Sequence, residues 1–216
     1  SLAIELAASR SRMMPPETMV KRLAERFKLL KGERRDQEAR QATLSGAIEW
    51  SWQLLEPWEQ SALLQISVFQ GGFTMEAAEE ILDLSEWPEA SFVMDVVASL
   101  LDKSLIYPMQ QGNLPRFNML VSVSDYATMR RENTDLPGVA SVHARHAKHF
   151  ATLGTSKHLA SLFGRNIRPA RQTHALEFQN FIEGLNQSLD MNHIETAASC
   201  VIAAIHVILF RGPYDQ

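Results

Sequence analysis

The chain has 216 residues, 45% of them hydrophobic and 21% charged, enough to bury a core in one or two domains, and no run reaches the ~18 to 20 apolar residues of a membrane span. A formal net charge of -4 and a pI near 6.0 provide no global basic field, so a nucleic-acid partner would have to be held by a local patch. The single cysteine, Cys200, excludes an intramolecular disulfide framework and fits a reducing compartment, the cytoplasm by default, while Glu5, Arg10 and Arg12 interrupt the apolar region that a signal peptide needs.

Leu2 to Ser11 is a small-residue-rich run of helix formers that begins abruptly, as in a fragment cut from a longer protein. Pro15 and Pro16 break it. Pro16 and Glu17 suit the first turn of a second helix with Met19, Val20, Leu23, Phe27 and Leu30 on one face and Gly32 just past its end. The charged run from Lys31 to Gln41 reads as a linker and sets a first boundary. Thr43 is a candidate N-cap for a helix carrying Ala47, Ile48, Ser51, Trp52 and Leu55 up to Pro57, and Trp58, Ala62, Leu63 and Ile66 mark the next. Gly71-Gly72 predicts a turn, and Thr74 caps a helix with Ala77, Ala78, Ile81 and Leu82.

The central stretch is Phe92 to Met119. Val93, Val96, Val97, Leu100 and Leu101 fall at i, i+3, i+4, i+7 and i+8, one apolar stripe on a helix that must be buried. Two short runs, Leu105 to Met109 and Leu114 to Met119, flank Gln-Gln-Gly-Asn at 110 to 113, where Gly112 and Asn113 tolerate positive φ and predict a β-hairpin. Helices followed by a hairpin are the order of a winged helix-turn-helix. Val121, Tyr126 and Met129 predict a helix to about Arg131, closed by Asn133 to Gly138. From Val139 onward the pattern is helical, marked by Val142, Ala147 and Phe150, then by Leu176, Phe178, Phe181, Ile182 and Leu185, then by the nearly all-apolar Ile194 to Phe210. The expected fold is mainly α: a lead-in over 1–38, a winged-helix module with one short hairpin over 39–135, and the start of a TPR-like helical-repeat region over 136–216.

No catalytic constellation stands out, and no catalytic, cofactor-binding or metal residue is assigned. A phosphate loop needs a Gly-Lys pair, which the chain lacks, and Gly71-Gly72 leads into Phe73 and Thr74, an ordinary turn. His143, His146 and His149 sit at i, i+3 and i+6, too far around a helix for all three to meet one zinc ion. Cys200 lies among Ala197, Ala198, Val201 and Ile202 as a small core residue. In a DNA-binding reading the central helix would present Asp95, Ser99 and Asp102 with only Lys103 basic, and acids facing phosphates oppose binding. The clusters Lys31 to Arg40 and Arg165 to Arg171 read as solvated linkers.

Several strings resemble the STAND-class signalling ATPases, relatives of NB-ARC proteins found in LuxR-type and SARP-type transcriptional regulators. They are Leu2 to Arg10, Arg40 to Leu44, Ala47 to Ser51, Leu54-Leu55, Ser67 to Phe69 with Gly71 to Phe73, Asp102 to Leu105, Arg116 to Leu120, Asp125 to Ala127, His146-Ala147 with Phe150, and Leu176-Glu177 with Asn180-Phe181. The resemblance implies a parent whose ATPase core lies upstream and whose sensor repeats lie downstream, with this segment as a non-catalytic relay that docks on other domains of the parent. ATP and magnesium are implied only for the parent. Ser1 stands where that family has a proline, and Leu120 and Val121 replace the His-Asp that approaches the nucleotide in many relatives. The apolar Ile194 to Phe210 predicts self-association, and a DNA-binding winged-helix transcription factor is the alternative reading.

Overall fold

The computed structural model describes residues 36–90, 92–111, 114–163 and 167–211, without the side chains of 36–44, 111, 114 and 211. The helices expected within 2–30 and the hairpin tip at Gly112 and Asn113 lie outside the described residues. What is described is mainly helical, with ten helices and one three-stranded antiparallel sheet.

Helix α1 (Asp36–Gln53) already contains the second half of the expected linker, so the boundary at 38/39 falls inside a helix and Thr43 is interior rather than an N-cap. The reason is local. After Gly32 the run holds no glycine or proline until Gly46 and is rich in Glu, Ala, Arg and Gln, all good helix formers. Helix α2 (Pro57–Ile66) begins on a proline and closes a capping box in which the Glu59 carboxylate accepts from the Glu56 N–H at 2.9 Å. The turn at Gly71-Gly72 leads to β1 (Phe73–Thr74), and the Thr74 hydroxyl accepts from the Ala77 N–H at 3.2 Å to start α3 (Met75–Ile81).

Helix α4 (Val93–Asp102) buries Val96, Val97 and Leu100 as its spacing demands, and Ser104 turns the chain at φ 57 into β2 (Ile106–Gln111) and β3 (Leu114–Met119). The strand β1 is an addition to the expected single hairpin. It pairs Phe73 with Phe117 and Thr74 with Arg116, so β3 is central in the order β1-β3-β2. The sequence α2, β1, α3, α4, β2, β3 is that of a winged helix-turn-helix. Helix α5 (Val121–Arg131) then returns against α1 and α2, where Tyr126 packs edge-on to Trp52 at 6.0 Å.

Beyond it come α6 (Val142–Thr152), α7 (Ser156–Ser161), α8 (Ile167–Leu176), α9 (Phe178–Asp190) and α10 (Ile194–Arg211). Two expectations change here. The basic cluster near 165–171 is not a solvated linker past residue 166. It enters α8 with Pro169 in the first turn, where a missing N–H costs nothing, and the Arg171 guanidinium lies 4.0 Å over the Phe210 ring. The helix expected across Leu176 to Leu185 is divided at Glu177, whose side chain turns inward to an arginine described below. One hydrophobic core then runs from Ala47 to Val207 and includes Phe73, Leu100, Val142, Phe150 and Phe181, so the sheet, the N-terminal helices and the C-terminal helices share it.

Leu100 is fully buried in that core. We predict that Leu100→Ala lowers stability by ~2 to 5 kcal/mol, the cost of an unfilled leucine site, whereas Asp95→Ala on the exposed side of α4 leaves the urea midpoint within experimental error. Equal midpoints for Leu100→Ala and the unaltered chain would mean that the stripe is not buried.

Candidate functional site

The strongest polar arrangement joins the sheet to the C-terminal helices. Arg116 sits on the central strand with only 1% of its surface exposed, and a strand flanked on both sides projects it straight into the interior. A guanidinium cannot shed its charge, so it must find a carboxylate there. It finds Glu177, in a two-point ion pair whose longer contact is 3.3 Å, and it also donates to the Gly72 carbonyl at 3.0 Å. Asn180, one turn along, donates to the same carbonyl at 3.0 Å and to Glu177 at 2.8 Å. Its Oδ1 accepts from the Gln70 N–H at 2.7 Å.

Gly71-Gly72 is therefore an anchored turn. At φ +92 Gly72 occupies backbone space that L side chains avoid, and a Cβ there would meet the Phe117 carbonyl oxygen at 2.8 Å. The turn holds its carbonyl at the point where Arg116 and Asn180 converge. Behind it Phe69 stacks on Phe73 at 4.7 Å and meets the rings of His146 and Phe150 edge-on.

His146 extends the network into α6 and α9. Its Nδ1 lies 3.1 Å from the Gln187 Oε1 and its Nε2 3.4 Å from the Asn180 Oδ1. Burial pushes its pKa down to about 3, so the ring is neutral and its one proton serves only one of these two oxygens. His143 and His149, its neighbours at i-3 and i+3, lie elsewhere on the helix. His143 and His149 are half-buried, and His149 packs edge-on against Phe150 at 4.9 Å. Among the described residues no group of three or more His, Cys, Asp or Glu is arranged to hold a metal ion. Cys200 is fully buried, its thiol pushed up to about 11 by burial, and packs against the Gly184 position of α9.

A second polar joint lies at Gln65, itself buried, which accepts from the Asp83 N–H at 2.7 Å and from the Arg145 guanidinium at 2.8 Å. Arg145 of α6 also donates to Ile81 and Gly138 carbonyls, tying α2, α3 and α6 at one place.

The face that a winged helix would turn to DNA is different. Met94, Asp95, Ala98 and Asp102 are the exposed residues of α4. Lys103, expected to supply the one cation, is buried with Glu59, which also accepts from Ser99 at 2.6 Å. At Glu59 burial favours the neutral acid, but the hydrogen bonds from Lys103 and Ser99 outweigh it and hold the carboxyl below its ordinary range. From Val93 to Met119 the described cations are Lys103 and Arg116, and both are consumed by internal carboxylates.

Sequence reasoning had the strings that contain Arg116, Glu177 and Asn180 but not their chemistry. The alternation offered no signal, since it sets Arg116 with Asn118 on the face opposite Phe117 and Met119, where a solvent-facing arginine is the ordinary expectation.

Fold and site together define a winged-helix-type module locked onto a helical bundle by a buried polar network. Over 155 residues, 72% of the chain, it is 36% identical to proteins of Mycobacterium tuberculosis and Mycobacterium bovis that carry the name "Putative HTH-type transcriptional regulator", of which the match covers 17%. Over 149 residues it is 32% identical to an uncharacterized protein of Mycobacterium tuberculosis, covering 68% of the chain and 37% of that protein. These relatives support a regulator-like family, and the chain spans about one sixth of the length of the named regulators it matches. No family model and no solved structure matches the chain. Among the described residues no helix is long and apolar enough to cross a membrane.

Removing one partner of the buried pair leaves the other charge stranded. Glu177→Gln is expected to cost ~3 to 5 kcal/mol, while the double variant Arg116→Met with Glu177→Leu recovers a large part of that loss because no charge remains to be solvated. Urea denaturation of Glu177→Gln and of the double variant measures this, and a loss below about 1 kcal/mol for Glu177→Gln would make the network incidental.

Proposed function

We propose that the chain is a non-catalytic regulatory segment of a larger signal-transducing ATPase or transcriptional regulator of the STAND class, relaying state between an ATPase core and helical sensor repeats. The observation that carries this reading is the Arg116, Glu177, Asn180 and Gly72 network, which ties the sheet of the winged-helix part to the first helices of the C-terminal part. A relay needs such a joint: a displacement imposed on one side reaches the other only if the contact between them is rigid and specific. Residues 136–216 are the start of a TPR-like repeat region in this reading, the partners are other domains of the parent, and the compartment is the cytoplasm. ATP and magnesium belong to the parent, because this segment has no Gly-Lys pair to cradle a phosphate.

The relatives' name favours a second reading, a DNA-binding winged helix. Electrostatics weigh against it for this segment, since α4 offers Asp95 and Asp102 where phosphates would lie. Two titrations test the pair of readings together. Calorimetry with Mg-ATP is expected to give no binding, and a gel shift with mixed duplex DNA at low salt is expected to give no retardation. Micromolar ATP affinity sinks the first reading, and a salt-sensitive shift lost on Ala98→Glu establishes the second.

Helix α10 leaves Ile194, Ile202, Ile205, Ile208 and Leu209 exposed while Ala197, Cys200, Ala203 and Val207 face its own chain. At ~25 cal/mol per Å2, an apolar stripe of this kind favours association when nothing covers it. The isolated chain is therefore expected to self-associate in sedimentation at tens of micromolar, and Ile205→Lys is expected to return it to monomer. A monomer at that concentration would mean that the stripe drives nothing.

A further inference from the structure

The far side of the C-terminal helices carries a surface that the relay reading does not use. Helix α10 exposes Ala198, Ile202, Ile205 and Leu209 at successive intervals of four, three and four residues, the spacing of a seam that packs along a second helix. Ile202, Ile205 and Leu209 are 42%, 45% and 67% exposed, while Ala197, Cys200, Ala203 and Val207 hold the opposite side of α10 against the chain's own core. Glu195, the one acid of α10, lies about 15 Å along the helix from Ile205.

One border of this seam is aromatic and cationic. Phe163, 59% exposed in the turn from α7 to α8, meets the His206 and Phe210 rings of α10 edge-on at 6.2 and 5.6 Å, and these two residues stand one helical turn from Ile202 and beside Leu209. Arg171 of α8 lies 4.0 Å over Phe210 and 5.4 Å over Phe163. Its Nε donates to the Leu162 carbonyl at 3.1 Å, while its two terminal nitrogens make no hydrogen bond among the described residues and are not shut off from water. Arg168 stands exposed one turn back along α8, and among the described residues neither arginine has a carboxylate within ion-pair distance. The cause lies in the amino-acid order. Between Asp135 and Glu177 the chain has no acid at all, but it has Arg145, Lys148, Lys157, Arg165, Arg168 and Arg171, so a chain of net charge -4 concentrates unpaired cations on these helices.

We propose that this face is the docking site for an acidic amphipathic helix of a partner, its leucines or isoleucines on Ile202, Ile205 and Leu209 and its Asp or Glu flank along Arg168 and Arg171. Each part of the occupant answers a part of the surface. An aliphatic seam at heptad spacing buries the apolar side of a helix. It gives a nucleic-acid base nothing to stack on and a phosphate no donor, which sets nucleic acid aside. The two arginines decide the sign of the flank, and Arg171, held on aromatic rings with its terminal nitrogens unspent, presents a prearranged fork for a carboxylate. Self-association of the isolated chain uses the same seam in the partner's absence. The proposal holds whether or not the parent is an ATPase, since it rests on α8 and α10 and not on the Arg116 joint.

The test titrates the full chain with two synthetic peptides of about three heptads, both with leucine at the a and d positions, one with Glu and the other with Lys at the flanking e and g positions; fluorescence anisotropy reads binding and sedimentation reads the oligomeric state. Saturable binding of the Glu peptide, at least tenfold tighter than the Lys peptide at low salt and weakened severalfold by added salt, is the expected result, and at saturation the Glu peptide is expected to return the chain to monomer. Arg168→Glu, at an exposed position, is expected to weaken the Glu peptide severalfold and to strengthen the Lys peptide, and Ile205→Lys to abolish binding of the Glu peptide, both with the thermal midpoint unchanged. Failure of the Glu peptide to bind, equal binding of the two peptides, or undiminished Glu-peptide binding to a folded Ile205→Lys chain overturns the proposal. So does saturable binding of single-stranded DNA, lost on Arg168→Glu, in a chain that ignores the peptides, since the cations would then be serving phosphates.

Discussion

The structure depends on the solution to one problem, a permanently charged guanidinium placed in the middle of the molecule. Arg116 stands on the central strand of a three-stranded sheet, where neither edge offers water. The cost of that charge is met by Glu177 and the Gly72 carbonyl, both of which Asn180 holds in place with its own hydrogen bonds. They come from two parts of the chain, the Gly71-Gly72 turn and the start of α9. The turn must take positive φ at Gly71 and Gly72, the helical run must break at Glu177, and α9 must begin where Asn180 reaches the same carbonyl. Three local features that look unrelated are consequences of one buried charge.

The same constraint separates this module from a winged helix built to read DNA. A reading helix keeps its cations outside, where phosphates are. Here Lys103 and Arg116 are turned inward to Glu59 and Glu177, and the outward side of α4 is apolar or acidic. The charges stabilise the contact of α2 with α4 and of the sheet with the bundle. The element order is that of a winged helix-turn-helix, while its cations pair with internal carboxylates.

Buried histidines give the joint a further property. His146 is held between two amide oxygens in a site that keeps it neutral, and His158 and His174 flank a cavity on the other side of Phe150. With their pKa values depressed by burial, these rings stabilise the fold fully above the ordinary histidine range and lose that contribution as pH falls below it, because the unfolded chain then binds more protons.

Local periodicity by itself determined a good deal. The stripe on α4, the cap at Thr74, the turn at Gly71-Gly72, the hairpin strands and the end of α5 near Arg131 are all set by contacts within a few residues, and they are legible in the amino-acid order. Helix over Asp36–Gln53 is equally local, and the charged composition of 31–41 obscured it. What tertiary structure alone decided has a different origin. Strand β1 is two residues long and exists only because β3 offers it an edge. The break at Glu177 and the burial of Lys103 exist only because a partner lies 61 and 44 residues away, respectively. The pairing of charges across such separations is a property of how the elements stack, since any acid in the chain could have met Arg116 and only the packing of α9 under the sheet selects Glu177.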